Sequence, residues 1–361
     1  MVTDNFQLSE EQSMILDTVR KFAVEQVAPS ALENDEKASF VREGFDGLAE
    51  LGMLGIPLPE ESGGAELGLL SFVVAMEELG RACGSTARVF LSQTALCGNA
   101  LGGHPSVEDI AGGEKLGAFI GPDAGIMASV VGDGYELEGC ATLVTAGMEA
   151  DLVVVCADLE GEEALFALDA ASASREPVAP LGFRASAPAR FEFTSHAVSG
   201  DALVSRGEPA REVLAKVHLA ACVGGGALAV GLAEAALSAA VKHARERIAF
   251  GKPLAGQQAV ALKLGDSALA IRAARHLVYD AARRADAGTE ARQAGNMARI
   301  AAVEAAVSTA DEAIQILGGY GFTNEYHVER YYRDAKTLEV FGGGAEALRT
   351  EIAGAVLKTG S

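Results

Sequence analysis

The sequence predicts a mainly α-helical protein with a β-rich domain in its middle. The first hundred residues carry amphipathic helical patterns, and long alanine-rich segments with helical periodicity begin at about residue 210. Between them, short runs of β-forming residues are separated by Gly, Asp and Pro. We therefore predict an N-terminal helical domain over residues 1–112, a central β domain over 113–207 and a C-terminal helical bundle over 208–361.

The N-terminal domain is predicted from helix-start signals and apolar periodicity. Ser9 and Gln12 fit a capping box, in which two side chains satisfy free backbone groups at a helix start. Ile15, Val19 and Phe22 then recur at helical spacing and give this helix one apolar face. Further helical patterns cover residues 41–54, 70–79 and 89–101.

The β domain and the bundle are predicted from equally local signals. Three short β-rich runs, at residues 152–155, 165–168 and 191–193, have the length and composition of strands. In the bundle, apolar residues recur at steps of four and three until two glycines can end the helix. These apolar positions are Val303, Val307, Ala310, Ile314 and Leu317.

Composition argues against several classes of function. The 361 residues carry a formal net charge of −21, which would repel nucleic acid and anionic lipid alike. The five cysteines are widely spread without a CxxC pair, so neither a disulfide framework nor a zinc cluster is expected. The start of the chain lacks the features of a signal peptide, and no apolar stretch of about 18 residues occurs. We therefore expect a cytoplasmic protein that binds neither nucleic acid nor membrane.

Motifs of other enzyme classes are missing or stand in the wrong context. Residues 224–229, GGGALA, match the glycine pattern of a dinucleotide fold, but a helix-like segment rather than a strand precedes them. Close helix packing is the better interpretation. The six histidines have no metal-binding spacing and the serines no GxSxG motif, so we expect neither a metal site nor serine hydrolysis.

Two segments of the C-terminal region have a composition suited to an anionic ligand. In RERIAFGKPLAGQQA, residues 245–259, cations cluster where a helix is predicted to end at a Phe-Gly turn. In QILGGYGF, residues 315–322, glycines leave backbone N–H groups accessible to an anion. Each segment alone is compatible with an ordinary helix end, and their order and spacing together carry the information.

These two segments, with ERYYRDAK and a glycine-rich turn before the last helix, resemble the acyl-CoA dehydrogenase family. LSEEQ, GMLGIPLPEESGG and MEELGRA are similar to the family's first domain, and YELEGCATLVTAGMEADLVVV is similar to its β domain. The resemblance covers nearly the whole chain. It implies a small β-barrel or sandwich in the middle, a four-helix bundle at the end, and assembly as a homo- or hetero-tetramer with homologous subunits.

The resemblance also implies an activity. In this family a base removes the proton α to a thioester while a hydride leaves the β carbon for FAD, which converts an acyl-CoA to a 2-enoyl-CoA. The cofactor implied is FAD, the substrate is an acyl-CoA, and an electron-transfer flavoprotein is a possible partner that accepts the electrons.

Residues that match the family's FAD site are expected to bind the cofactor. Arg247 and Phe250, with Gln258 following, match positions that contact the FAD of a neighbouring subunit, and Thr145 matches a hydroxyl near the flavin ring. An arginine and bare glycine amides suit a pyrophosphate. The loop that meets the adenosine half of FAD is matched by Gln315, Gly318 and Gly319.

The family's catalytic glutamate has no counterpart in the sequence, which marks a divergent member. Its usual position is Gly342, and the alternative position on the first bundle helix is Ala221. Glu339, Glu346 and His218 are nearby in sequence as substitutes, although a glutamate at a helix start also suits the helix dipole. A base must lie within hydrogen-bond reach of the proton that it removes. The sequence alone therefore leaves the base unknown.

Three functions stay open. The chain is an FAD enzyme that acts on an acyl-CoA with a displaced base, or a non-catalytic or half-site subunit of a heteromeric enzyme. The third alternative is an FAD enzyme of the same family whose reaction needs no α-proton base. Cys222 stands where many members have a CoA-contacting arginine, and the flavin-side loop is shortened to GPDAG at 121–125. Both differences favour partial loss of the site.

Overall fold

The computed structural model describes residues 8–249, 251–341 and 344–359. Helices form both ends of this part of the chain and strands form its middle, so the predicted fold class is confirmed. An N-terminal helix ends at Gly112, the strands of the main sheet lie within residues 117–206, and the next long helix begins at Glu208. The domain limits proposed at 112/113 and 207/208 fall between these elements and stay a prediction.

The capping box opens the first helix as predicted. The N–H of Gln12 donates to Oγ of Ser9 at 3.1 Å, and the N–H of Ser9 donates to Oε1 of Gln12 at 3.0 Å. The N-terminal helices are α1 (Glu10–Phe22), α2 (Ala31–Lys37), α3 (Arg42–Glu50), α4 (Gly68–Ala82), α5 (Gly84–Phe90), α6 (Asn99–Leu101) and α7 (Ser106–Gly112). Helix α3 ends earlier than the predicted residue 54, because Gly52 adopts a positive φ of 67° and a 3₁₀ turn follows.

The middle of the chain forms one eight-stranded sheet. Its strands are β1 (Gly117–Ile120), β2 (Ile126–Val131), β3 (Gly134–Val144), β4 (Leu152–Leu159), β5 (Glu162–Asp169), β6 (Ser174–Pro177), β7 (Ala189–Val198) and β8 (Leu203–Arg206). The order is β6-β7-β3-β2-β4-β5-β8, and β1 also pairs with β4. Strands β1 and β2 run parallel to successive halves of β4, so the shortened loop at 121–125 is a brief interruption between them.

Long helices dominate the C-terminal part. They are α8 (Glu208–Glu246), α9 (Gln258–Asp286), α10 (Arg292–Leu317), α11 (Val328–Leu338) and α12 (Gly344–Thr359), with a two-stranded hairpin, β9 (Ile248–Ala249) and β10 (Lys252–Pro253), before α9. The GGGALA segment lies inside α8, where an added Cβ at Gly224 would meet Phe72 and one at Gly226 would meet Val278. Close helix packing therefore explains these glycines, and the dinucleotide interpretation is excluded.

Helix α8 is long and apolar enough to cross a membrane, with a mean hydropathy of 1.7 in its most apolar window. Of that window, 61% is buried inside the protein, where α8 packs against α4, α9 and α10. Helices in the core of soluble proteins can also have this length and hydropathy. This helix is therefore weak evidence for a membrane span.

The N-terminal and C-terminal helices share one core, because buried side chains of α4, α8, α9 and α10 belong to a single cluster. A buried ion network crosses it. Nη2 of Arg275 in α9 donates to Oε1 of Glu77 in α4 at 2.7 Å and to Oε1 of Glu234 in α8 at 2.8 Å. The hydroxyl of Tyr279 also donates to Glu77, at 3.2 Å. Three helices that are far apart in sequence are thus fixed by one guanidinium.

Candidate active site

A buried arginine connects two parts of the candidate site. Arg88 in α5 is 7% exposed, and its Nε donates to Oγ1 of Thr145 at 3.0 Å. Thr145 follows β3 in a tight turn; Leu143 near the end of β3 and Ala146 in the turn have positive φ values of 57° and 59°. Since non-glycine residues adopt such values rarely, this turn is a strained conformation that holds the Thr145 hydroxyl in the interior.

One face of the same guanidinium stacks on an aromatic ring. Cζ of Arg88 lies 3.8 Å from the ring centroid of Phe341, and the ring of Phe183 lies 6.4 Å from that of Phe341. Phe341 directly precedes the usual base position, Gly342, which lies outside the described residues. One side chain thus touches both the predicted flavin-side hydroxyl and the residue before the predicted base position.

A second buried arginine lies against both segments that carry a base in the family. Nη2 of Arg299 in α10 donates to the carbonyl of Leu338 at 3.0 Å, and Nη1 donates to the carbonyl of Ala221 at 3.4 Å. Leu338 ends α11, so the cation stabilises the negative end of that helix. The structure therefore brings Ala221 and the end of α11 together, but the methyl group of Ala221 cannot remove a proton.

The two arginines make the interior of the site electropositive. Burial, together with the nearby charge of Arg299, lowers the pKa of Arg88 to about 9, although the charge of Asp123 opposes this shift. Burial also lowers the pKa of Arg299. Asp123 is exposed on the loop at 121–125, so it neutralises the interior charge poorly.

The three residues predicted as substitute bases lie in three different environments. Glu339 pairs with Lys336 at 2.5 Å, and Glu346 is exposed at the start of α12. Both glutamates line a cleft of about 330 Å³ together with Phe341. His218 is a half-buried residue whose Nε2 lies 2.8 Å from Oδ1 of Asn296. A catalytic role for any of the three stays a prediction.

His218 belongs to a polar cluster that joins α8, α10 and α12. Sγ of Cys222 lies 3.6 Å from both Nε2 of His218 and Oδ1 of Asn296, and Nδ2 of Asn296 donates to Glu351 at 3.1 Å. Burial raises the pKa of Cys222 to about 11. A thiol that stays protonated is a poor nucleophile, so this cluster connects helices rather than performing covalent chemistry.

Most of the predicted FAD residues lie on a different, exposed surface. Arg247 follows α8, and the ring of His243 near the end of α8 lies 6.2 Å from that of Tyr320, just after α10. An ion pair between Lys263 and Glu312 also joins the start of α9 to the end of α10. Phe250 lies outside the described residues. The exposed members of the set at this end of the bundle are Arg247, Gln258, Gln315, Gly318 and Gly319.

The residues present fit FAD in two places. The exposed guanidinium of Arg247 and the uncovered backbone at Gly318 and Gly319 suit a phosphate group, and an added Cβ at either glycine would meet nothing within 4 Å. The buried hydroxyl of Thr145 suits the polar edge of a ring. The assignment of these individual residues to FAD stays a prediction.

Sequence reasoning missed Arg88 and Arg299. Arg88 is the one charged residue between Gly84 and Leu101, in a segment that is otherwise apolar or uncharged. Apolar packing does not explain a single charged residue in a helix that is expected to be buried, because a buried charge needs a partner. That pattern was the available signal for Arg88, whereas Arg299 gave none because its apolar neighbours form an ordinary amphipathic pattern.

Known proteins resemble this chain over its full length. The family descriptions "Acyl-CoA dehydrogenase, N-terminal domain" and "Acyl-CoA dehydrogenase, C-terminal domain" match residues 9–108 and 222–357. The short-chain specific acyl-CoA dehydrogenase of Clostridium acetobutylicum is 31% identical over 378 residues, which cover 98% of this chain and 100% of the relative.

Two solved structures also superpose closely. Butyryl-CoA dehydrogenase from Megasphaera elsdenii has a TM-score of 0.90 at 30% identity and covers 98% of this chain and 100% of that chain. A solved structure from work on the electron transferring flavoprotein of Acidaminococcus fermentans has a TM-score of 0.91 at 32% identity. The match covers 98% of this chain and 99% of that chain.

The chain belongs to the acyl-CoA dehydrogenase family. The family resemblance predicted from the sequence is therefore confirmed, together with FAD as the cofactor and an oxidoreductase acting on CH–CH bonds as the enzyme class. The identity of the base stays a prediction. The interpretation of the chain as a divergent member that lacks the usual glutamate also stays a prediction.

Proposed function

We propose that this chain is an FAD-dependent acyl-CoA dehydrogenase that converts a short acyl-CoA to a 2-enoyl-CoA. The observation that carries the proposal is the match of both family domains in one chain that spans the whole short-chain specific relative. The butyryl-CoA dehydrogenase fold supports the same acyl length class. The alternative in which no α-proton base is needed has no leaving-group site in its favour.

FAD, when bound, accepts the hydride equivalent that leaves the β carbon of the acyl group. Thr145 is suited to orient the flavin, because its oxygen accepts a hydrogen bond from Arg88 and its own hydroxyl proton is thereby directed elsewhere. Arg247, Phe250 and Gln258, with the loop after Gln315, would hold the phosphate and adenosine parts of FAD. The exposure of Arg247, Gln258 and Gln315 supports a site that a neighbouring subunit completes.

The base is the open part of the reaction. Glu339 and Glu346 share a cleft with Phe341, which directly precedes residue 342 in the sequence. A second candidate function, a half-site subunit in a hetero-tetramer, is favoured by the lack of a base at Gly342 and Ala221. In that case a homologous subunit brings the glutamate, and this chain supplies Arg247 and the adjoining loop to its flavin.

The proposal includes a setting for the reaction. A cytoplasmic homo- or hetero-tetramer that passes electrons to an electron-transfer flavoprotein fits the acidic composition, and a similar solved structure carries the name of such a flavoprotein. These assignments rest on relatives and on composition.

The first experiment is a visible spectrum of the chain purified alone, before and after anaerobic addition of acyl-CoA thioesters of four to eight carbons. We expect bound flavin whose absorbance near 450 nm is bleached by at least one thioester. A colourless protein, or a yellow protein that no thioester bleaches, would favour the half-site subunit. Co-expression with a homologous chain that carries the glutamate would then restore both flavin retention and bleaching.

A further inference from the structure

The polar cluster that joins α8, α10 and α12 fixes the orientation of one buried amide. Asn296 is fully buried, and its side chain lies between Glu351 of α12 and His218 of α8. Although burial opposes ionisation, hydrogen bonds from Asn296 and Arg292 lower the pKa of Glu351. An ionised carboxylate can only accept hydrogen bonds, so the amide must turn its Nδ2 donor to Glu351, at 3.1 Å. Its Oδ1 acceptor therefore faces His218.

This orientation decides which nitrogen of His218 carries the proton. Nε2 of His218 lies 2.8 Å from Oδ1 of Asn296, where two lone pairs would repel each other, so Nε2 is the donor. In the neutral ring the lone pair is then on Nδ1. Among the described residues, Nδ1 has no hydrogen-bond partner, and the ring is only half-buried. His218 is thus held in the tautomer that leaves Nδ1 free to accept a proton.

His218 lies one turn from the position matched to the alternative base. It precedes Ala221 by three residues in α8, so the two side chains are neighbours on the helix surface. Helical side chains lean toward the N-terminus, so a glutamate at residue 221 would extend over the turn that contains His218. Arg299 contacts the carbonyls of both Ala221 and Leu338, which brings the end of α11 to the same part of α8.

The other two residues predicted as substitute bases lack a comparable arrangement. Glu339 is engaged by Lys336 at 2.5 Å, and among the described residues no side chain orients the exposed Glu346. His218 is instead oriented by Asn296, which is itself held by Glu351. A base that is oriented by a second group in this way is typical of catalytic acid–base sites.

We propose that His218 is the general base of the reaction and that Asn296 and Glu351 orient it. This inference rests on the proposed dehydrogenase function and names its missing base. Nδ1 of His218 takes the proton from the α carbon of the thioester. The electron pair of that C–H bond forms the double bond between the α and β carbons, while a hydride leaves the β carbon for FAD. The imidazolium then returns its proton to solvent, which its half-buried position allows.

The test follows the α proton directly. Flavin-loaded protein is incubated anaerobically with excess butyryl-CoA in deuterium oxide. Mass spectrometry measures deuterium in the recovered thioester, and visible absorbance follows flavin bleaching. We expect His218→Gln to slow both processes about 10²- to 10⁴-fold, because glutamine can still donate to Asn296 but cannot accept the proton. Calorimetry should show that this variant binds the thioester as the native chain does.

A matched control and a second variant separate loss of the base from general damage. His196 in β7 is also half-buried, and its Nε2 lies 3.4 Å from Oγ of Ser172, so His196→Gln should leave both rates unchanged. His218→Ala removes the ring and leaves space for a free imidazole. Added imidazole should restore part of the deuterium exchange and of the bleaching in this variant.

Each other outcome overturns a defined part of the proposal. Native rates in His218→Gln would refute His218 as the base and leave the dehydrogenase function standing. An equal loss in His196→Gln, or a loss in His218→Ala that imidazole does not relieve, would show that the effect is structural. Exchange that depends on His218 without any bleaching would confirm the base and refute the dehydrogenase function. Neither exchange nor bleaching by the native chain would refute both.

Discussion

The backbone N–H of Phe183 donates to Oδ1 of Asp334 at 2.6 Å, and this bond ties a loop of the β domain to α11. The same loop places the ring of Phe183 beside Phe341, so the bond supports the aromatic contact on which Arg88 stacks. Asp334 is buried, and desolvation raises its pKa to about 6 despite the opposing charge of Arg330. The link between this loop and α11 thus includes a carboxylate with a raised pKa.

This raised pKa predicts a pH dependence of stability. Because the folded-state value of about 6 exceeds the ordinary value of 3.8, the folded protein binds the additional proton between those pH values. The contribution is fully present below about pH 4 and is lost as pH rises through 6, on the order of 3 kcal/mol. We expect the free energy of unfolding of the native chain, minus that of Asp334→Asn, to fall by about this amount between pH 4 and pH 7.

Denaturant unfolding at several pH values measures this difference. The exposed Asp46→Asn variant controls for the general effect of removing one carboxylate. A difference that rises with pH would show that the charge–charge contact with Arg330 outweighs desolvation, contrary to the prediction.

The buried network around Arg275 predicts a large effect of a small substitution. Glu77→Gln keeps the side-chain volume but removes the charge that Arg275 contacts through both Nε and Nη2, at 3.0 Å and 2.7 Å. We expect a loss of about 3 kcal/mol in the free energy of unfolding, because one partner of a buried pair is removed. Thermal melting measures it. Glu304→Gln, which breaks the exposed pair with Arg349, should change stability by no more than about 0.5 kcal/mol, and equal effects would contradict the prediction.

Replacing each of two helical glycines by alanine should have opposite effects on stability. An added Cβ at Gly225 would overlap Nη1 of Arg299, whereas one at Gly265 in α9 would meet nothing within 4 Å. Gly225→Ala should displace Arg299 from the carbonyls of Leu338 and Ala221 and destabilise the chain by about 2 kcal/mol. Gly265→Ala should stabilise it by about 0.5–1 kcal/mol through helix propensity. Melting temperatures distinguish these cases, and stabilisation by Gly225→Ala would be the contrary result.

Restoring a carboxylate tests the missing base. Gly342→Glu should raise the rate of anaerobic flavin bleaching by about 10²- to 10⁴-fold if proton removal limits the reaction. Gly342→Gln is the matched control, since it has the same size and cannot act as a base. Stopped-flow absorbance near 450 nm measures both variants. Equal rates for Glu and Gln would mean that a base elsewhere, in this chain or in a partner, already removes the proton.

Local signals in the sequence were sufficient to predict the order of elements. The capping box at Ser9, the strands at 152–155 and 165–168, and the end of α10 before Gly318 all occur where short-range patterns place them. Each depends on residues within a few positions of one another, so no tertiary information was needed. The early end of α3 was missed because the conformation of Gly52 depends on the turn that follows it.

The site was predicted less completely, for a physical reason. Thr145 and Ala221 were identified by family resemblance, but the resemblance did not indicate that Arg88 would contact Thr145 or that Arg299 would contact Ala221. Arg88 lies in α5, Thr145 follows β3 and Phe341 follows α11, and their contacts exist only once these elements have packed together. A pattern along the chain does not encode such contacts.

The shared core has a consequence for synthesis on the ribosome. Helix α4 is almost entirely buried, and its main partner, α8, is translated after the whole β domain. The carboxylate of Glu77 must likewise wait for Glu234 and Arg275. The N-terminal helices therefore cannot complete their packing until α8 and α9 have been synthesised, and nascent α4 presents apolar surface to chaperones until then.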